Sequence, residues 1–213
     1  MHGIRFNDIH SYEDLNLILS KVNIPPATPK TNYVDIPGGD GSADLTEALG
    51  EVKFKDRECT FTFTVFPCDD FEEKKREISN LLNGRRFKIV LDKDPDYYWD
   101  GRCSINEYAS DRQKHEIVIG ATVAPYKLKH DPTVVMVEGA TTEVVRLWNS
   151  RKTVVPTISV IGLFPASITF GTKTINLGTG MWKVPDIELV EGNNELIVTC
   201  NGMVTFEYQE GDL

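Results

Sequence analysis

Between Cys59 and Val65 apolar side chains occupy the odd positions (Cys59, Phe61, Phe63, Val65) and threonines the even ones (Thr60, Thr62, Thr64). A period of two is the pattern of a β-strand with one face buried and the other wet. Similar short runs recur at 87–91, 117–123, 134–137, 144–148, 168–170, 173–177, 196–200 and 204–208. Turn-forming residues separate many of them: Asn83-Gly84, Gly178-Thr179-Gly180, Gly192-Asn193-Asn194 and Asn201-Gly202. The last pair predicts a two-residue hairpin, because Asn and Gly tolerate the positive φ of a type I′ turn.

One segment has the helical period instead. Over about 70–83, acids (Asp69, Asp70, Glu72, Glu73) crowd the start and bases (Lys74, Lys75, Arg76) follow, while Phe71, Ile78, Leu81 and Leu82 share a face. Acids near an N-terminus match the helix dipole, so this segment is expected as a helix laid on a sheet. A helical turn capped by Asp44 or Ser42 is expected over Asp44 to Leu49. The acidic string from Asp92 to Asp100 is expected as a polar turn between strands, and its aromatics Tyr97, Tyr98 and Trp99 as core, interface or a sugar platform.

Two stretches interrupt the pattern. Pro25, Pro26 and Pro29 impose an extended path and remove backbone donors, so 24–30 cannot sit inside a sheet. With the following residues to Ser42 they predict an arm or long loop. Composition shifts near 130: most of the clustered charge and the helix precede it, and a nearly unbroken series of short strands follows. The expected fold is therefore mainly β in two domains, 1–130 and 131–213, the second a small β-sandwich.

Composition narrows the chemistry. The chain has 213 residues, ordinary apolar and charged fractions, and a formal net charge of −9. Polyanion binding relies on clustered basic side chains, so nucleic acid is not an expected ligand, although it could pass by without sticking. No apolar stretch has the length of a membrane helix and the N-terminus lacks a signal-peptide layout, so cytosolic synthesis is expected. Cys59, Cys68, Cys103 and Cys200 form no C-x-x-C pair and read as reduced, inert thiols.

Reactive motifs are absent. Gly38-Gly39-Asp40-Gly41-Ser42 lacks the lysine of a phosphate loop, and Asp44 would repel a pyrophosphate. The string from Asp92 holds Tyr97 and Cys103 where an EF-hand needs glycine and glutamate. His2, His10, His115 and His130 show no paired metal spacing, and no G-x-S-x-G occurs. A glycosidase-like carboxylate pair has no positive support. Trp148 and Trp182 stand beside polar residues, as in a carbohydrate-binding groove, or as in a sandwich edge or core. No cofactor or metal is expected.

Three segments together carry a resemblance: the opening from Met1 to Asn7, the run from Ile36 to Leu49 leading into the Phe-rich strand, and the end from Val204 to Leu213. In this combination the chain resembles the distal tail (Dit) proteins of long-tailed, non-contractile bacteriophages and prophages. The resemblance implies an N-terminal β-sandwich or split-barrel-like domain that builds a homohexameric ring, helped by a belt within about 15–40, and a galectin-like C-terminal domain. It implies interface roles for Leu17, Leu19, Pro25, Pro26, Pro29 and Tyr33. The implied partners are further copies of the chain, the tail tube protein, the tail-tip hub and, in some phages, a receptor-binding protein, with DNA passing through unbound. The implied place is the virion tail tip or baseplate, and the implied role is structural, not enzymatic. On this reading the glycines at 38–41 let the chain turn out of the belt towards the strand at 59–65. The alternative is a protein that binds bacterial cell-wall glycans through the C-terminal sandwich; a cell-wall hydrolase lacks any motif.

Overall fold

The computed structural model describes residues 3–48, 50–65, 70–110 and 114–213. Met1, His2, Leu49, Cys68 and Asp69, invoked above, lie outside the described residues. The fold is mainly β, with one helix among the described residues. The chain divides into two compact units, Met1–Lys127 and Leu128–Leu213.

The first unit contains β1 (Ile4–Phe6), β2 (Ile9–His10), β3 (Ile18–Asn23), β4 (Tyr33–Asp35), β5 (Ser42–Asp44), β6 (Arg57–Val65), α1 (Phe71–Leu82), β7 (Arg86–Leu91), β8 (Asp94–Ser110) and β9 (His115–Val123). Seven of the strands form an antiparallel sheet in the order β2-β1-β7-β8-β9-β6-β3. In a flat sheet β1 and β6, four places apart, would be separated by about 19 Å at the usual spacing between strands. Their Phe6 and Phe63 rings instead lie 6.5 Å apart between centroids. The sheet is therefore curled, as the split-barrel expectation describes. Inside the curl the odd-numbered face of β6 (Cys59, Phe61, Phe63, Val65) packs with Ile4, Phe6, Leu17, Ile89, Ile117 and Ile119.

The helix forms where expected. Asp70 caps it, its Oδ1 accepting from Glu73 N at 2.8 Å, and Glu72 and Glu73 occupy the first turn. Phe71, Ile78 and Leu82 are buried in the sheet's core, with Leu81 partly buried against it. Phe71 also stacks on His115 of β9, centroids 4.1 Å apart and planes at 12°.

A buried polar knot closes the N-terminal edge. Glu13 N donates to His10 Nδ1 at 3.1 Å, which leaves the proton on Nε2, facing Asp92 at 3.2 Å. Gly3 N donates to Asp92 Oδ2 at 2.6 Å. Burial raises the Asp92 pKa, but the Gly3 N–H and His10 together outweigh it and hold the carboxyl below its usual value. A depressed carboxyl contributes stability above its unfolded pKa, about 3.9, and loses it as pH falls through the folded value. Acid titration followed by circular dichroism is thus expected to show unit-one stability declining below about pH 4, with a shallower decline in Asp92→Asn.

The second unit contains β10 (Lys127–Lys129, which begins at the boundary), β11 (Thr133–Asn149), β12 (Thr157–Gly162), β13 (Ala166–Phe170), β14 (Lys173–Leu177), β15 (Gly180–Lys183), β16 (Gly192–Tyr208) and β17 (Gly211–Asp212). The 17-residue strands β11 and β16 pair along their whole length. On its other side β16 pairs first with β13 over Leu196 to Thr199, then with β12 over Gly202 to Glu207. Where one neighbour gives way to the other, three glycines meet in register: Gly139 opposite Gly202, and Gly202 opposite Gly162. Residues of both halves then share one core: Val145, Leu147, Ile168 and Val198 from one, and Val137, Ile158, Val204 and Phe206 from the other. The long β11–β16 ribbon is thus bent at the glycines so that a single sheet supplies both layers of a sandwich.

Three expectations change here. Asn201-Gly202 is not a hairpin turn; Gly202 has φ +146° in mid-strand, and the runs at 196–200 and 204–208 belong to one strand. The runs at 134–137 and 144–148 are likewise both parts of β11. The string from Asp92 to Asp100 turns only at Asp92 and Lys93, and β8 takes up the rest, burying Tyr98 and Trp99.

Candidate functional site

The exposed feature with a built form is the segment between β3 and β6. Prolines at 25, 26 and 29 keep the outgoing chain extended, and the returning chain pairs with it: Lys30 N donates to Lys53 O at 2.7 Å and Lys55 N to Thr28 O at 2.8 Å. Phe54 beside this ladder packs edge-on to Tyr126, 5.9 Å between centroids. Further out β4 and β5 form a separate two-stranded sheet, with Tyr33 opposite Asp44 and Asp35 opposite Ser42. Gly38 (φ +74°) and Gly41 (φ +80°) make the turn between them, a conformation that a side chain would strain. The glycines therefore form the tip of an arm, not the corner into β6.

The arm cannot bury its own apolar surface. Tyr33 is 61% exposed, and Val34, Ile36 and Leu45 are also exposed. A lone two-stranded hairpin is marginal in water, so these side chains call for a partner surface. The arm tip is also of one sign: between 31 and 51 it carries Asp35, Asp40, Asp44, Glu47 and Glu51 and no Lys or Arg. Asp44 does serve as a local cap, its Oδ1 accepting from Thr46 N at 2.9 Å, but a turn over Thr46 to Ala48 stands where a helical turn was expected.

The expected interface residues separate into groups. Leu17 is fully buried in the core of the first unit, which removes it from any surface role in this conformation. Leu19 lies half-buried on β3, a strand at the end of the sheet order. Pro25 is half-buried at the arm's root, and Pro26, Pro29 and Tyr33 are exposed along it. The protruding segment thus runs from about 24 to 56, and residues 15–23 belong to the body.

At the root sits a group that the sequence reading passed over. Arg57 is 6% exposed and lies on the core face of β6, in line with Cys59 and Phe61. Its Nη1 donates to Pro25 O at 3.4 Å, while Nε and Nη2 find no partner among the described residues. Burial pulls its pKa below the usual arginine value. A buried charge with open donors destabilises a fold, and an apolar residue of similar length relieves the cost. Arg57→Met is expected to raise the unfolding free energy of the first unit by about 1–3 kcal/mol, measured by urea denaturation; a lowered midpoint would refute the assignment. The alternation of β6, extended back by two residues, places Arg57 on the buried face, so the signal was present.

The remaining chemistry is inert in form. Burial pushes the Cys59 thiol up to about 11 and Cys103 to about 12, and raises Cys200 as well, so none is a thiolate at neutral pH. No group of three metal-ligating side chains occurs among the described residues. A cleft of about 450 Å³ in the first unit is lined by Asp56, Arg86, Asp100, Arg102 and Thr122 among others. Three of its charged side chains are already engaged: Arg86 grips Asp100 through two bonds of 2.8 Å, and Arg102 donates to Gly84 O. Trp148 and Trp182 are both partly exposed, yet they lie on different halves of the bent sheet, Trp148 opposite Asn193 and Trp182 opposite Ile158. Along β11 Trp148 alternates with the buried Leu147 and Asn149 and so faces outward, while Trp182 occupies the inward-facing row of Ile158. The structure does not assemble them into one groove. Among the described residues, no helix is long and apolar enough to cross a membrane.

Comparison with known proteins fixes the family. Residues 8–119, just over half of the chain, match the family described as phage tail protein RIFT-related domain. The chain belongs to this family. The matched segment holds the arm, the helix and most of the curled sheet, so the exposed arm is part of a tail-protein fold. No curated protein sequence matches this tail protein. Among solved structures it is similar to the SPP1 Dit (gp 19.1) protein, described as a paradigm of the hub adsorption apparatus in phages that infect Gram-positive bacteria. The likeness covers 100% of both chains with a TM-score of 0.72 at 15% identity, and concerns the fold.

Proposed function

We propose that this tail protein is a structural adaptor at the distal end of a phage tail, closing with copies of itself into a ring, of six by the Dit resemblance. The ring joins the tail tube to the tail-tip hub and the adsorption apparatus, and DNA passes through its opening. The observation that carries this reading is the arm at 24–56, a pinned hairpin that presents Tyr33, Val34, Ile36 and Leu45 to solvent. A head-to-tail contact that closes by rotation gives each arm a neighbour and leaves none unpartnered. The whole-chain likeness to SPP1 Dit supports the same role. Shape performs the task, and the protein is not an enzyme.

Native mass spectrometry and negative-stain imaging of the purified protein are expected to show closed rings. Replacing residues 33–44 by a short Gly-Ser link, which removes β4, β5 and the tip, is expected to leave a folded monomer. A wild-type protein that stays monomeric at high concentration overturns the proposal.

A further inference from the structure

An arm needs a receptor, and the first unit has a recess of suitable chemistry. The curl of the sheet brings β3, which among the described residues pairs only with β6, towards the end of β7 and Gly3. Between them lies a groove of about 220 Å³, lined by Leu19, Ser20, Lys21 and Val22 on one side and by Gly3, Leu91 and Lys93 on the other. Sites for drug-sized ligands run from about 300 Å³ upward, so this one takes side chains. Its apolar wall is Leu19, Val22 and Leu91. Lys21 and Lys93 at its rim are exposed, and neither pairs with an acid among the described residues. One wall is the free edge of β3, whose outward backbone groups are a template for another strand.

We propose that this groove receives strand β4 of a second copy, which adds to the free edge of β3 and partly closes the curl. The inference rests on the ring reading above and names the receptor for its arm. Successive residues of an extended strand point to opposite faces. Val34 and Ile36 therefore enter the apolar recess together, and Asp35 on the opposite face reaches the two rim lysines. The charges match in sign, since the arm tip holds five carboxylates and no base while the groove offers two unpaired ammonium groups. A chain cannot fill its own groove this way. The arm departs directly from the end of β3, and Pro25, Pro26 and the ladder from Thr28 and Lys30 to Lys53 and Lys55 hold it extended, away from the edge it would have to double back onto.

The test uses the full chain. A Lys21→Glu/Lys93→Glu variant, changed only at exposed positions, is expected to melt as the wild type does while its assembly weakens at least tenfold in sedimentation. Adding Asp35→Lys to it is expected to restore assembly. Mixing Leu19→Cys chains with Val34→Cys chains under mild oxidation is expected to give a disulfide-linked dimer containing one of each. Wild-type rings that persist in Lys21→Glu/Lys93→Glu, with no mixed disulfide, overturn this groove and leave the ring intact. A monomeric wild type overturns both.

Discussion

Gly202→Ala is expected to lower the stability of the second unit by on the order of 3 kcal/mol or more. Two independent costs add at this position. The backbone is at φ +146°, where residues other than glycine are strained. A Cβ there would also sit 2.2 Å from Ile161 O and 2.8 Å from Gly162 Cα, both backbone atoms that cannot turn aside as a side-chain end can. Relief would require β12 to move away from β16, breaking the ladder that holds the second layer. The measurement is chemical denaturation followed by the fluorescence of Trp148 and Trp182. Gly178→Ala serves as the control, since an added Cβ at that site meets nothing within 4 Å. A Gly202→Ala protein with the wild-type midpoint would show that the corner is not under the constraint described.

Phe63→Ala is expected to cost the first unit about 3–5 kcal/mol. Phe63 is fully buried in the middle of β6, with Leu19 and Ile117 as its cross-strand neighbours. Its ring also faces Phe6, which in turn packs edge-on to Phe87 at 6.0 Å. These aromatics span the interior of the curl, so truncation leaves a cavity bordered by strands from distant places in the sheet order. Hydrogen exchange is expected to show lost protection across β6, β9 and β1 together. A loss confined to β6 would mean that the ring does not bridge the curl.

The readable and unreadable parts of this fold differ in a physical way. The strand at 59–65 and the helix at 71–82 are set by local periodicity and by a cap at Asp70, all within a dozen or so residues, and the sequence shows them plainly. Asn201-Gly202 misled because a tight turn and a mid-strand bend both call for unusual backbone angles at glycine. Only the alignment of Gly139 and Gly162 with Gly202, positions far apart in the chain, distinguishes the bend. The arm's prolines were legible, but its return path was not, since the alternation at 52–55 (Val52, Lys53, Phe54, Lys55) is too short to mark a strand. Leu17 fell in the segment assigned to the arm because nothing in the sequence marks where the body stops. Trp148 and Trp182 both stand beside polar neighbours in the sequence and differ in which half and which face of the bent sheet they occupy.

The glycine corner has a consequence for how the second unit fails. Because β11 and β16 run unbroken from one layer into the other, neither layer has a complete set of strands of its own. Peeling either one away frays the same two ribbons that define its opposite number. A tensile load reaching any edge therefore passes into main-chain bonds common to the entire sandwich, and the unit holds or gives way as a whole.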